Sequence, residues 1–165
     1  MNSNIEYFNI VNDILENDEF NKLKDIKHHG LNRFDHSYRV SYCSYLVTKK
    51  LGLDYIKSAR AGLLHDFFLD NNEKVKVNKR FKTLINHPKY ALTNSEKYFD
   101  LSDMEKDIIL THMFPISINI PKYLESWLVD IIDDGVSIYE RYFQTKKQLS
   151  FAYSFLFILF FNYFR

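Results

Sequence analysis

Residues Ala61 to Phe68, Ala-Gly-Leu-Leu-His-Asp-Phe-Phe, set an imidazole and a carboxylate side by side at the end of an apolar run. A helix with this composition is buried, and an ionised carboxylate is costly there unless it is paired or holds a metal. His65 and Asp66 therefore need partners from elsewhere in the chain. Four of the six histidines fall at a helix start, a helix end or an inward face: His36, His65, His87 and His112. Each alone has an ordinary explanation as a hydrogen-bonded core residue. Together with Asp66 and an aspartate near Asp133, they form a set of nitrogen and oxygen donors. Such a set suits one or two divalent transition-metal ions, whether iron, manganese, nickel or zinc, and Cys43 stands alone, so no thiolate cluster competes. Ligands spread along the chain in this way converge only inside a helical bundle.

The elements that must position these groups are legible from spacing. Four glycines and three prolines, with apolar residues recurring at three and four, predict a mostly helical chain. Ile5, Phe8, Val11, Ile14 and Leu15 predict an amphipathic helix over 3–19. His28-His29-Gly30 falls in a loop over 24–32, where two histidines either take a metal or a phosphate or face solvent. The next helix, 34–51, carries Val40, Cys43, Leu46, Val47 and Leu51 on one face. Gly52 is its expected C-terminal cap, Asp35 lies near its N-cap, and His36 points inward from its first turn. Asp54 opens a helix through Ile56, Ala59, Leu63 and Leu64 to His65-Asp66, and Ala59, Ala61 and Gly62 permit close packing. Residues 69–82 break the pattern. Lys74, Lys76, Lys79, Arg80 and Lys82, with no acid between them, fit a solvated loop or an electropositive rim for an anionic substrate.

Pro88 suits the first position of a helix running to Phe99, which places His87 at its start. Ser102 to Glu105 is a capping box, and the helix it opens carries Ile108, Ile109 and His112 and stops before Pro115. Pro121 begins the next helix, apolar at Leu124, Leu128, Ile131 and Ile132 but interrupted by Asp130, Asp133 and Asp134. Surface placement accounts for Asp130 or Asp134, not for all three.

Lys and Arg number 22 against 21 Asp and Glu, so net charge offers no reason to expect nucleic acid as a partner. A single cysteine excludes an intrachain disulfide and fits a reducing compartment. The polar start, Met1-Asn2-Ser3-Asn4, lacks the blocks of a secretory signal, so a cytoplasmic location is expected. The 165 residues suit one domain over 1–148 and an aromatic tail over 149–165, which holds eight Phe or Tyr and no charge before Arg165. As a helix the tail reaches about 25 Å against a hydrocarbon core of about 30 Å. Membrane association through this tail, flanked by Lys146, Lys147 and Arg165, stands beside packing on the domain or on a second subunit of a homodimer. An altered reading frame is a further source of so aromatic a terminus.

The order His36, then His65-Asp66, then Asp133 resembles the H…HD…D signature of the HD-domain metal-dependent phosphohydrolases. Its context is Arg33-Phe34-Asp35-His36 followed by Ala59 to Asp66, and the resemblance covers roughly Lys27 to Glu140. His87-Pro88 and Thr111-His112 further resemble the two-metal subset that includes the bacterial symmetrical diadenosine tetraphosphatases, and His28-His29-Gly30 is similar to a segment of bacterial HD proteins. The resemblance implies an all-α helical bundle. It implies that His36, His65, Asp66 and Asp133 hold one ion, that His87 and His112 hold a second, and that Asp66 bridges them, with His65-Asp66 at the catalytic centre. Ions so held bring hydroxide within reach near neutral pH, and that hydroxide attacks phosphorus in line. Because phosphoryl transfer depends on positioning and charge, nearby cations matter.

Arg39, three residues after His36, is either a phosphate clamp or an exposed helix arginine. His29, Lys79 and Arg80 are further candidates for the substrate. The implied substrate is a phosphoester or phosphoanhydride of a small nucleotide, most concretely a dinucleoside polyphosphate. Asp134 stands where relatives often carry Lys, which alters the charge beside Asp133. The alternative from another class is a non-catalytic HD module that binds a nucleotide or a partner, at a membrane through the tail. An intact ligand set argues against it.

Overall fold

The computed structural model describes residues 3–28, 31–69 and 77–163. Within them the chain forms α1 (Ser3–Leu15), α2 (Asp18–Asn21), a 3-10 turn (Lys22–Asp25), strands β1 (Lys27–His28) and β2 (Leu31–Asn32), then α3 (Arg33–Lys50), α4 (Tyr55–Leu64), α5 (Val77–Tyr98), α6 (Asp103–Thr111) and α7 (Leu124–Tyr163). The two strands pair antiparallel, Lys27 with Asn32 and His28 with Leu31, and the rest is an all-α bundle, as expected. α3 packs on α4 and α7, and α4 and α7 both pack on α6.

Local chemistry sets the boundaries. The first helix ends at Leu15 rather than running to 19, because Asn17 leaves the helix to cap α2, accepting from the Phe20 amide at 3.0 Å. Asn32 caps α3, accepting from the Asp35 amide at 2.7 Å. At the other end Gly52 adopts φ +72°, its amide donates to Lys49 O, and the Leu53 amide donates to Thr48 O at 2.9 Å. That pair of bonds closes a helix through a left-handed residue, which glycine adopts without strain. Asp54 caps α4 and Ser102 forms the expected reciprocal box with Glu105 at the start of α6.

Two further expectations are corrected. Helix α5 begins at Val77, so Pro88 lies in its interior and His87 in mid-helix, and the cation-rich stretch is helical from Val77 onward. Lysine and arginine are good helix formers, so a run of them reports solvation and not backbone shape. Pro88 removes one amide from the ladder, yet it stands buried and the helix continues on both sides. Lys74 and Lys76 lie outside the described residues. The last helix starts at Leu124, three residues after Pro121.

The second correction concerns faces. In α3, Leu46, Val47 and Leu51 are exposed, while His36, Ser37, Val40, Ser41, Ser44, Tyr45 and Thr48 are buried. Small side chains are needed there because α4 approaches closely: a Cβ added to Gly62 would sit 3.2 Å from Ser41 Cα. The Ser41 hydroxyl is satisfied, donating to Ala59 O at 2.6 Å and accepting from Tyr7 Oη at 2.8 Å. In α1 the buried line is Tyr7, Val11 and Ile14, with Ile5 and Phe8 outside. The apolar core joins these to Phe20, Leu23, Leu63, Leu64, Phe67, Ile108, Ile109 and Val129.

Helix α7 carries the acidic trio. Asp133 and Asp130 are buried and only Asp134 is exposed. Beyond Glu140 the helix continues without a break into the aromatic segment as far as Tyr163. Among the described residues, no helix is long and apolar enough to cross a membrane.

Two predictions follow from this packing. Gly62→Val should destabilise the fold by about 1–3 kcal/mol, the usual cost of overpacking, because the atom it meets is helix backbone pinned by the Ser41 bonds. An unchanged denaturation midpoint would show that α3 and α4 can separate freely. For Asp130, burial and then the charges of Asp134 and Asp133 raise the carboxyl pKa to about 7. The folded value lies above that of an unfolded chain, about 3.9. The stability linked to its proton is therefore complete below the unfolded value and lost as pH rises through about 7. Asp130→Asn should raise the melting temperature over wild type at pH 8, with the gap shrinking steadily toward pH 5; a gap independent of pH would contradict this.

Candidate metal centre

His36 stands in the first turn of α3, one turn after the Asn32 cap, and is 1% exposed. His65 is the C-cap of α4 and His112 the C-cap of α6. Both use the same local device: Nδ1 lies 2.8 Å from the carbonyl three residues back, Gly62 O for His65 and Ile109 O for His112. A carbonyl only accepts, so Nδ1 carries a proton in each ring and Nε2 is the nitrogen turned toward the centre. His87 comes from the middle of α5 and Asp133 from α7, while Asp66 follows directly on the α4 cap. The six groups are buried and meet in one place.

Asp133 Oδ1 lies 2.9 Å from His36 Nε2 and 3.6 Å from His65 Nε2. Asp66 Oδ1 lies 3.3 Å from His87 Nε2 and 3.8 Å from His112 Nε2, and its Oδ2 lies 4.0 Å from His65 Nε2. The two oxygens of Asp66 thus face different histidines. His87 Nε2 and His112 Nε2 are 2.9 Å apart. Among the described residues, three triads have donor atoms all within 4.8 Å of one another: His36, His65 and Asp66; His65, His112 and Asp133; and Asp66, His87 and His112. Asp66 belongs to two of them.

A cation fits this donor set. His65 Nε2 is buried and has no hydrogen-bond partner. The His112 Nε2 lone pair faces His87 Nε2 at 2.9 Å, two imidazole nitrogens aimed at one point. Helices α4 and α6 both bring their C-terminal ends, which carry partial negative charge, to the same point. Imidazole nitrogen and carboxylate oxygen without thiolate are the ligands of a divalent transition ion.

The protonation states agree. Burial, then repulsion from His65 and His87, lowers the His112 pKa to about 3, so its ring is neutral. Burial would raise the Asp66 pKa, but His65, His87 and Arg33 hold it well below the usual carboxylate range. Asp133 is likewise held down, against burial, chiefly by His65 and by its hydrogen bond with His36. His36 differs: burial pulls its pKa down, yet hydrogen bonds to Asp133 and Glu140 raise it to about 10.

Two residues that sequence spacing did not single out complete the surroundings. Arg33 donates from Nη1 to Phe68 O at 2.6 Å, lies 3.8 Å over the Phe68 ring, and brings Nε to 3.9 Å from Asp66 Oδ2. Glu140 places Oε2 3.0 Å from His36 Nδ1. Each had a signal in its register, since Arg33 lies one turn before His36 and Glu140 two turns after Asp133. Arg39 is half-exposed, with Nη1 3.4 Å from Glu140 Oε1, and with Tyr38, Tyr42, Ile132 and Tyr139 it lines a groove of about 600 Å³ between α3 and α7. Lys79 and Arg80 belong to the first turn of α5, and their side chains lie outside what the structure describes. His29 lies outside the described residues.

No curated protein and no solved structure matches the chain at the significance applied. A family model described as HD domain does match, over residues 33–134, the stretch that runs from the buried Arg33 through every one of the converging histidines to Asp133. That segment is more than half of the 165 residues, and on this ground the chain belongs to the HD domain family.

Proposed function

We propose that the chain is a metal-dependent phosphohydrolase acting on a small phosphorylated nucleotide. The observation that carries this is the placement of Asp66, whose Oδ1 faces the buried His87 and His112 while its Oδ2 faces the buried His65. In this assignment His36, His65, Asp66 and Asp133 hold one divalent ion, and His87, His112 and Asp66 hold a second, as in the two-metal subset that includes the symmetrical diadenosine tetraphosphatases. Ions bound there lower the pKa of a bound water toward neutrality and screen the charge on phosphate oxygens.

The chain's own residues do the rest. Gly62 O and Ile109 O fix the tautomers of His65 and His112, so both rings present Nε2 without rearrangement. Arg33, stacked on Phe68, keeps the Oδ2 side of Asp66 ionised and in place. The net reaction adds the elements of water across a P–O bond: the water oxygen bonds to phosphorus, the bridging oxygen leaves, and it takes up a proton. Lys79 and Arg80 stand in the first turn of α5, about 11 Å along the helix axis from His87, which favours a polyanionic substrate. A dinucleoside polyphosphate is the most concrete candidate, with mononucleotides and cyclic nucleotides next.

Purified protein should carry stoichiometric iron, manganese, nickel or zinc by elemental analysis and should hydrolyse at least one member of a nucleotide panel. Asp66→Ala should lose metal and should lose activity by more than the roughly 100-fold that removal of an outer partner costs. His87→Ala should leave one ion per chain where wild type holds two. Wild type without stoichiometric metal, or hydrolysis that survives Asp66→Ala, would overturn the proposal.

A further inference from the structure

His36 is held differently from the other ring nitrogens at the centre. His65 and His112 each donate from Nδ1 to a carbonyl of their own helix, three residues back. His36 instead turns Nδ1 to a carboxylate on another helix: Glu140 Oε2, 3.0 Å away and 104 positions later in the chain. The Glu140 side chain is fully covered, at 0% exposure. A carboxylate withdrawn so completely from water costs several kcal/mol without compensation. Its compensation consists of His36 on one oxygen and the Arg39 guanidinium, 3.4 Å from the other. Glu140 also lies beyond the matched family segment, which ends at 134.

Register explains how the three meet. Asp133 and Glu140 are seven residues apart on α7, two turns and one face, about 10 Å along the axis. His36 and Arg39 are three apart on α3, again on one face. One face of α7 therefore presents a carboxylate to each side of the His36 ring, with Asp133 on Nε2 and Glu140 on Nδ1. Arg39, on the solvent side, faces the outer oxygen of Glu140 at 3.4 Å in an ion pair without a hydrogen bond.

We infer that Glu140 is a positioning residue for the metal ligand His36, with Arg39 as its anchor. This rests on the proposed metal centre. A carboxylate that accepts from Nδ1–H fixes the tautomer with the lone pair on Nε2, locks the ring plane and makes Nε2 a stronger donor. A backbone carbonyl does the first two of these less strongly and adds no charge. Of the three rings whose Nδ1 partner is described, His36 is thus the one with an ionic outer partner. Glu140 touches neither substrate nor ion; it acts through the ring.

The test is metal binding to the full-length chain, not turnover. Stripped wild type, Glu140→Gln and Glu140→Ala are titrated with Mn²⁺ by calorimetry and with Co²⁺ by visible absorption, and each is melted in chelator. Glu140→Gln keeps the shape and an acceptor for Nδ1–H but removes the charge. It should weaken the His36 ion about 10–100-fold and shift the Co²⁺ ligand-field band, with Glu140→Ala at least as weak and Arg39→Met showing a smaller loss in the same direction. A second measurement needs no variant. In metal-loaded wild type, the His36 Nδ1 proton should appear downfield of the amide region in the NMR spectrum.

Wild-type affinity and an unchanged Co²⁺ band in both Glu140 variants would overturn the inference while leaving the metal centre intact, and a lowered melting temperature alone would mark Glu140 as merely structural. Absence of the downfield ring proton in loaded wild type would also overturn it. Failure of wild type itself to bind metal would remove the centre and this inference with it.

Discussion

The structure depends on keeping one carboxylate, Asp66, ionised at 4% exposure. An isolated buried carboxylate would take up a proton or expel itself to water. Asp66 does neither, because Arg33 lies on one side and the Nε2 atoms of His65, His87 and His112 surround it. Those four residues come from α3, the end of α4, α5 and the end of α6. Satisfying a single carboxylate thus requires four elements to meet at one point, and α7 closes the ring with Asp133. The same convergence makes the place suited to a cation, since buried imidazole nitrogens and two carboxylates bring their donor atoms within 4.8 Å of one another in three overlapping groups among the described residues.

Rigidity at this point comes from short-range bonds. A histidine at a helix C-cap can return Nδ1 to the carbonyl of the preceding turn, and both His65 and His112 do so. The helix end satisfies one of its orphan carbonyls while the ring is aimed inward, so capping and ring orientation are one interaction. Close approach of α3 to α4 is equally local in origin. Gly62 and the serines of α3 give up apolar surface, and in exchange the His36 and His65 rings come to 5.4 Å between centroids.

Helix α7 has two characters. Its inner face supplies Asp133 and Glu140 to the centre and Val129 to the core, while Leu124, Ile131 and Ile138 point outward at 58%, 62% and 70% exposure. Glu140 is the last buried residue before the aromatic extension. The helix therefore ties the chemistry of the site to the groove shared with α3, through the line His36, Glu140 and Arg39.

By itself, the sequence determined the all-α class, most helix starts and stops, and the set of groups that meet, because capping, turn chemistry and the partners a buried His-Asp pair requires are encoded within a few residues. Ser102 with Glu105, Gly52 and Asp54 each announce their roles within one turn. Tertiary structure alone decided which face of α3 is covered. Hydrophobic spacing measures the cost of exposure, whereas the distance between α3 and α4 is set by Gly62, twenty-one positions from Ser41. It decided that α5 runs through Pro88, since a good local start signal is overridden when the turns before it are also helical. It also decided the parts played by Arg33 and Glu140. An exposed and a buried glutamate look alike in a sequence, and what separates them here is a histidine 104 residues away whose Nδ1 lies 3.0 Å from the carboxylate.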